Sequence, residues 1–238
     1  GADIEGAVLF SSFMAPTAEQ RQILDVFAYG IDWQPGTHQL TYGTEVDINY
    51  FMNRGQPDPT LAIGIRSIDL DSSEIRELVS PERGFTLSNP NWSPDGQRLA
   101  YVSFEQGNSA IWVQSVATGQ REQVSAGKGI NGAPAFSPDG RYMAMALSSS
   151  GNPEIYIRDL TTGQKRQLTQ HWAIDTEPAW SPDGSQIAFT SFREGNWDIY
   201  ISHWDSLHQQ WSEPLNLGPN INTWTAERRH GKPRRELW

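Results

Sequence analysis

Cysteine is absent from all 238 residues, which removes disulfides and thiolate metal sites. Cysteine-free chains occur in every compartment, so this absence says little about the redox environment. Charged side chains make up only 19%, which argues against intrinsic disorder. No apolar stretch approaches the roughly 18–20 residues that a membrane-spanning helix needs, so no bilayer crossing is expected. Basic residues fall short of acidic ones, 18 against 28, and the net charge of −10 disfavours general nucleic-acid binding. An initial methionine is also missing: the chain starts at Gly1 with no charged-then-apolar signal segment, so a processed or trimmed N-terminus is expected.

Catalytic and cofactor signatures are equally scarce. The sequence has no Gly-x-Ser-x-Gly elbow and no Gly-x-x-x-x-Gly-Lys phosphate loop. The histidines, His38, His171, His203, His208 and His230, show no zinc spacing. Gly127-Lys128-Gly129-Ile130-Asn131-Gly132 matches a dinucleotide fingerprint in letters only, because no helix follows to receive phosphates. Asp69 and Asp71 flank Leu70 without the further oxygen ligands and glycine turn of a calcium loop. The sequon Asn91-Trp92-Ser93 is followed by Pro94 and lies inside a repeat. No cofactor and no metal are expected.

What the chain does have is glycine (21), proline (15) and tryptophan (10), a mixture that favours short strands and tight turns. It also repeats itself. Pro90-Asn91-Trp92-Ser93-Pro94-Asp95-Gly96 returns as Pro134-Ala135-Phe136-Ser137-Pro138-Asp139-Gly140 and as Pro178-Ala179-Trp180-Ser181-Pro182-Asp183-Gly184, with the aromatics 44 residues apart both times. A degenerate copy, Asp32-Trp33-Gln34-Pro35-Gly36, lies 59 residues before Trp92, as if 15 residues were inserted. Each copy reads as four strands. Strand a ends in the aromatic, Ser-Pro-Asp-Gly turns the chain, and strand b is an apolar run such as Tyr142–Leu147. A Gly/Asn loop leads to strand c, and a Thr-Gly turn leads to strand d. Asp95, Asp139 and Asp183 share the same neighbours, so they read as turn formers and not as an acid–base pair.

Four antiparallel strands in about 44 residues match one blade of a β-propeller. The expected architecture is all-β and a single domain over residues 1–238. Its blade repeats run about 29–79, 89–124, 133–168 and 177–217. Half-repeats at 7–24 and 221–238 are expected to join as a fifth blade and close the ring, leaving no open edge.

These residues resemble the TolB-type propeller repeat of bacterial envelope proteins. The match is closest at Asn131–Gly140 and Thr176–Gly184, and Trp211-Ser212-Glu213-Pro214-Leu215-Asn216-Leu217 also looks like this repeat family. The resemblance covers 89–217 well and 29–79 loosely. It implies a periplasmic setting and binding to a peptidoglycan-associated lipoprotein in support of the outer membrane. It also implies a six-bladed ring with a separate N-terminal α/β domain, whereas this chain lacks room for that domain and shows fewer blades.

Alternating strands put the a–b and c–d turns on one face and the b–c and d–a loops on the other. The turn face is uniform, while the loop face differs from blade to blade, as a specific surface should. Its candidates for partner contact are Phe104, Lys128, Trp172 and Arg193, with Tyr50, Phe51 and Arg54 from an insertion near 45–60. The expected function is a monomeric, non-enzymatic protein-binding module, periplasmic or secreted, with a protein partner of the envelope-lipoprotein kind. One alternative is a propeller enzyme or accessory domain acting on a polysaccharide or peptide, with Asp175, Glu177 and His171 at the channel mouth. Another is a scaffold fragment of a larger chain. Residues 227–238 carry a local +3, read as a solvated tail or a docking segment for an acidic partner.

Overall fold

The computed structural model describes residues 27–45, 64–80, 85–219 and 221–222. These residues form four antiparallel sheets in chain order, consistent with propeller blades. The first sheet holds β1 (Phe27–Trp33), β2 (Gln39–Glu45), β3 (Ile65–Asp69) and β4 (Ile75–Val79). The second holds β5 (Leu87–Trp92), β6 (Arg98–Ser103), β7 (Ala110–Ser115) and β8 (Arg121–Ser125). The third holds β9 (Asn131–Phe136), β10 (Tyr142–Leu147), β11 (Glu154–Asp159) and β12 (Lys165–Gln167). The fourth holds β13 (Asp175–Trp180), β14 (Gln186–Ser191) and β15 (Asp198–Asp205), with its outermost strand split into β16 (Gln210–Trp211) and β17 (Leu215–Asn216). Pro214 lies at the split, where it offers no N–H to the ladder. The expected fifth blade rests on 7–24 and 221–238, which lie almost wholly outside the described residues, as does the insertion carrying Tyr50, Phe51 and Arg54.

Strand b explains why the sheets stack. In β10, Met143, Met145 and Leu147 pack toward Val102 and Ile111 of the second sheet. The alternate residues Ala144 and Ala146 meet Ile187 and Phe189 of the fourth. A strand covered on both faces reads as a continuous apolar run instead of an alternating one. The outermost strands face water, and β12 (Lys165-Arg166-Gln167) is exposed throughout.

The repeated turn is built by its own side chains. Ser93 Oγ accepts the Arg98 amide at 2.9 Å, Asp95 Oδ1 accepts the Gln97 amide at 3.0 Å, and Gly96 takes φ 66°. Ser137/Asp139/Gly140 and Ser181/Asp183/Gly184 repeat the arrangement.

A second repeated feature lies on the innermost strands. Gly30, Asn89, Ala133 and Glu177 all take positive φ (70°, 51°, 49° and 52°), and the strand a–strand b register shifts beside each of them. These are bulges at one position in every sheet, three of them directly before a proline. Side chains next to the repeat aromatics then strap neighbouring sheets together. Asp32 Oδ2 accepts the Trp92 amide at 2.6 Å and Asn91 Nδ2 at 3.1 Å, while Asn91 Oδ1 accepts the Phe136 amide at 2.8 Å. Trp180 Nε1 donates to Ala135 O at 3.1 Å across the next seam.

Candidate functional site

Direction alternates along each sheet, so the b–c loops 104–109, 148–153 and 192–197 share a face with the d–a connections 126–130 and 168–174. Among the described residues the exposed aromatics are Trp33, Phe104, Trp172, Phe192 and Trp197. All but Trp33 belong to that loop face. Ile130 and Ile174 add exposed aliphatic surface to it.

Phe104 follows β6 and is 42% exposed; its amide donates to Thr86 O at 3.2 Å. Lys128 is exposed in the link between the second and third sheets. Trp172 is 70% exposed, with its ring 5.3 Å from that of His171, and its carbonyl accepts a hydrogen bond from Asn152 Nδ2. Arg193 has a different environment. Its side chain is only 14% exposed, Nη2 donates to Asp175 Oδ2 at 2.6 Å, and the guanidinium stacks 5.1 Å over Tyr200. Arg193 is thus committed to an internal ion pair rather than offered as a free anchor. Phe104 and Trp172 share the face but come from different sheets.

Sequence reasoning passed over Phe192 and Trp197, whose rings lie 5.4 Å apart at 58°. A signal for the first was present: Phe192 stands two repeat lengths beyond Phe104, in the matching loop.

Beneath Trp172 lies a buried acidic pair. Glu154, at the start of β11, is 3% exposed, and Asp175, at the start of β13, is fully buried. Glu154 accepts hydrogen bonds from the His171 amide at 2.6 Å and from Thr169 Oγ1 at 2.7 Å. Burial pushes its carboxyl above the usual carboxylate range; those two hydrogen bonds act against the shift, and the neighbouring Asp175 adds to it. The Asp175 amide donates to Pro153 O at 2.9 Å, and the Ala173 amide donates to His171 Nδ1 at 3.1 Å. The pair therefore clamps the 170–174 link and so positions Trp172. Asn152, Gln170, His171 and Trp172 line a shallow pocket of about 470 Å³ above Glu154. Glu177, the third member of the enzymatic alternative, is exposed on a bulge bordering a groove of about 350 Å³ between the innermost strands, away from the clamp's hydrogen bonds. Among the described residues, no group of three or more His, Asp or Glu side chains is placed to hold a metal ion.

Comparison with known proteins agrees with this architecture. A stretch of 47 residues, 20% of the chain, is 68% identical to the Tol-Pal system protein TolB of Xanthomonas oryzae pv. oryzae and spans 11% of that protein. The crystal structure of TolB from Acinetobacter baumannii superposes with a TM-score of 0.56 at 28% identity, over 84% of this chain and 61% of that one. An oligogalacturonate lyase from Vibrio parahaemolyticus shares the fold, with a TM-score of 0.55 at 20% identity over 75% of this chain and 49% of its own. The chain thus spans less than two thirds of these relatives. The sequence profile of the TolB beta propeller domain matches residues 43–221, and the chain belongs to that family.

Proposed function

We propose that this chain is a non-enzymatic, monomeric protein-binding propeller of the bacterial periplasm, and that its loop face engages an envelope lipoprotein. The observation that carries this reading is the concentration of exposed aromatics on one face, while the opposite face repeats the Ser-Pro-Asp-Gly turn in three of the four sheets. Binding energy at protein interfaces concentrates in a few aromatic and Arg anchors within a larger contact area. Phe104, Trp172, Phe192 and Trp197 fit that description, and Lys128 gives the face a rim charge. Tyr50, Phe51 and Arg54 are assigned to the same surface from the sequence alone. Arg193 serves by holding Asp175, and through it the Trp172 link. The lipoprotein partner is taken from the Tol-Pal relatives.

Of the enzymatic alternative's residues, Asp175 is paired with Arg193, while Glu177 is exposed on the bulge of β13, away from Asp175 and His171 in the clamp's hydrogen bonds. The test is a titration of the purified chain with the soluble domain of a peptidoglycan-associated lipoprotein. Phe104→Ala and Trp172→Ala should each weaken binding about tenfold or more without loss of fold. Unchanged affinity in both variants would refute the assignment. Saturable cleavage of a sugar polymer or peptide that disappears in the Asp175, Glu177 and His171 triple variant would replace it with an enzyme.

A further inference from the structure

We infer that a second binding site lies on the opposite, turn-bearing face: a groove between the third and fourth sheets that receives an acidic segment of a protein partner on Arg166. The groove holds about 880 Å³. Tyr142 and Ile157 wall it on one side, and Trp180, Trp204 and Trp211 on the other. The three tryptophans brace one another, with ring centres 5.7 Å apart for Trp180–Trp211 and 5.6 Å for Trp204–Trp211. Trp180 is also tied to the Ala135 carbonyl. These contacts assemble the wall without a ligand.

Arg166 lies over it, its guanidinium carbon 4.9 Å from the Trp204 ring centre and 5.9 Å from that of Trp211. A guanidinium held over aromatic rings still has N–H groups to offer, and its fork matches a carboxylate with two parallel hydrogen bonds. Neither Arg166 nor the neighbouring Lys165 has a carboxylate partner among the described residues. The groove's own acids are engaged elsewhere. Asp159 binds Arg141 at 2.8 Å, while Asp139 and Asp183 hold the amides of their own turns. Lys165 Nζ lies 5.2 Å over the Tyr156 ring, which leaves Arg166, among the described residues, as the unpaired cation on the tryptophan wall, in a chain whose net charge is −10. Trp, Tyr and Arg together are the residues enriched at the centres of protein interfaces. A segment that alternates acidic and apolar side chains satisfies both halves of the groove, with a carboxylate on Arg166 and an aromatic or aliphatic group against the tryptophans.

The experiment is fluorescence anisotropy at low salt with a labelled Glu-Tyr-Glu-Leu-Glu peptide, against the same peptide with Gln at each Glu. The acidic peptide should bind saturably, weaken as salt rises, and lose about tenfold in affinity in Arg166→Gln. That loss is of the size expected for removing one charged anchor. Lys165→Gln should weaken it less. Trp172→Ala, on the far face, should leave it unchanged whether or not the loop face binds a lipoprotein. Arg166 stands on an exposed outer strand, over tryptophans that brace one another without it, so its variant should melt close to the parent. Equal binding of the Gln peptide, no saturation, or unchanged affinity in Arg166→Gln would overturn the site. Displacement of the peptide by a tighter-binding acidic oligosaccharide would overturn the assignment to a protein segment. Self-association that disappears in Arg166→Gln, seen by sedimentation velocity, would give the groove to a second copy of this chain instead.

Discussion

Arg193→Met is the most demanding perturbation of the clamp beneath Trp172. Methionine retains much of the stem volume, so the change isolates the charge. It leaves Asp175, with no exposed side-chain surface, beside Glu154 at 3% exposure and without a cation. Breaking a buried ion pair by removing one partner is worth about 3–5 kcal/mol. At about 2–4 °C per kcal/mol for a domain of this size, the melting temperature should fall by roughly 6–20 °C. The pH dependence has a definite sign. Glu154 already sits above the usual carboxylate range, so the fold prefers it protonated; its unfavourable contribution appears as pH rises through that range and is absent below it. Without Arg193, the charge of Asp175 that already pushes Glu154 upward is no longer offset by a neighbouring cation. The deficit of Arg193→Met should therefore be largest at neutral pH and shrink on acidification, and Arg193→Met/Asp175→Asn should recover part of it. The assay is urea unfolding followed by tryptophan fluorescence at several pH values. A loss under about 1 kcal/mol, or a deficit that grows as pH falls, would refute the reasoning.

Three further outcomes are expected. Gly30→Ala should destabilise far more than Gly36→Ala: both glycines have positive φ, but a Cβ at Gly30 would stand 2.7 Å from the Asn89 Cα while one at Gly36 meets nothing within 4 Å, and thermal melts of the two variants decide it. Asn91→Ala should cost about 1–3 kcal/mol by leaving the Phe136 amide without an acceptor in the seam between sheets, measured by denaturant unfolding. Asp183 is lowered to about 2 by hydrogen bonds from Ser181 and Ser185, so its stabilisation is complete above the ordinary Asp range and is lost as pH falls toward 2. Asp183→Asn should accordingly flatten the acid limb of a stability–pH curve between about pH 4 and 2, and an unchanged limb would show that this turn does not contribute to it.

Much of the fold was legible because the repeat encodes local chemistry. Ser-Pro-Asp-Gly specifies its turn through hydrogen bonds within a few residues, and runs such as Tyr142–Leu147 announce strands buried on both faces. Those features need no knowledge of distant partners, so the four sheets and their antiparallel order follow from the sequence alone. The loop face followed from strand alternation, and Phe104 and Trp172 were found on it for that reason. What a residue does on that face is a different matter. Arg193 reads as a free cation in sequence, yet Asp175 lies 18 positions away and becomes its partner only when adjacent loops converge. Glu154 gives no sign in sequence of being buried, because its environment is assembled from Thr169, His171 and Asp175 on a separate link and the next sheet. The bulges at Gly30, Asn89, Ala133 and Glu177, and the straps from Asp32 and Asn91, likewise belong to seams between sheets. Turn chemistry and strand periodicity are set by neighbours in the chain; ion pairing, burial and the stacking of Arg166 on Trp204 are set by neighbours in space, which only the packed sheets supply.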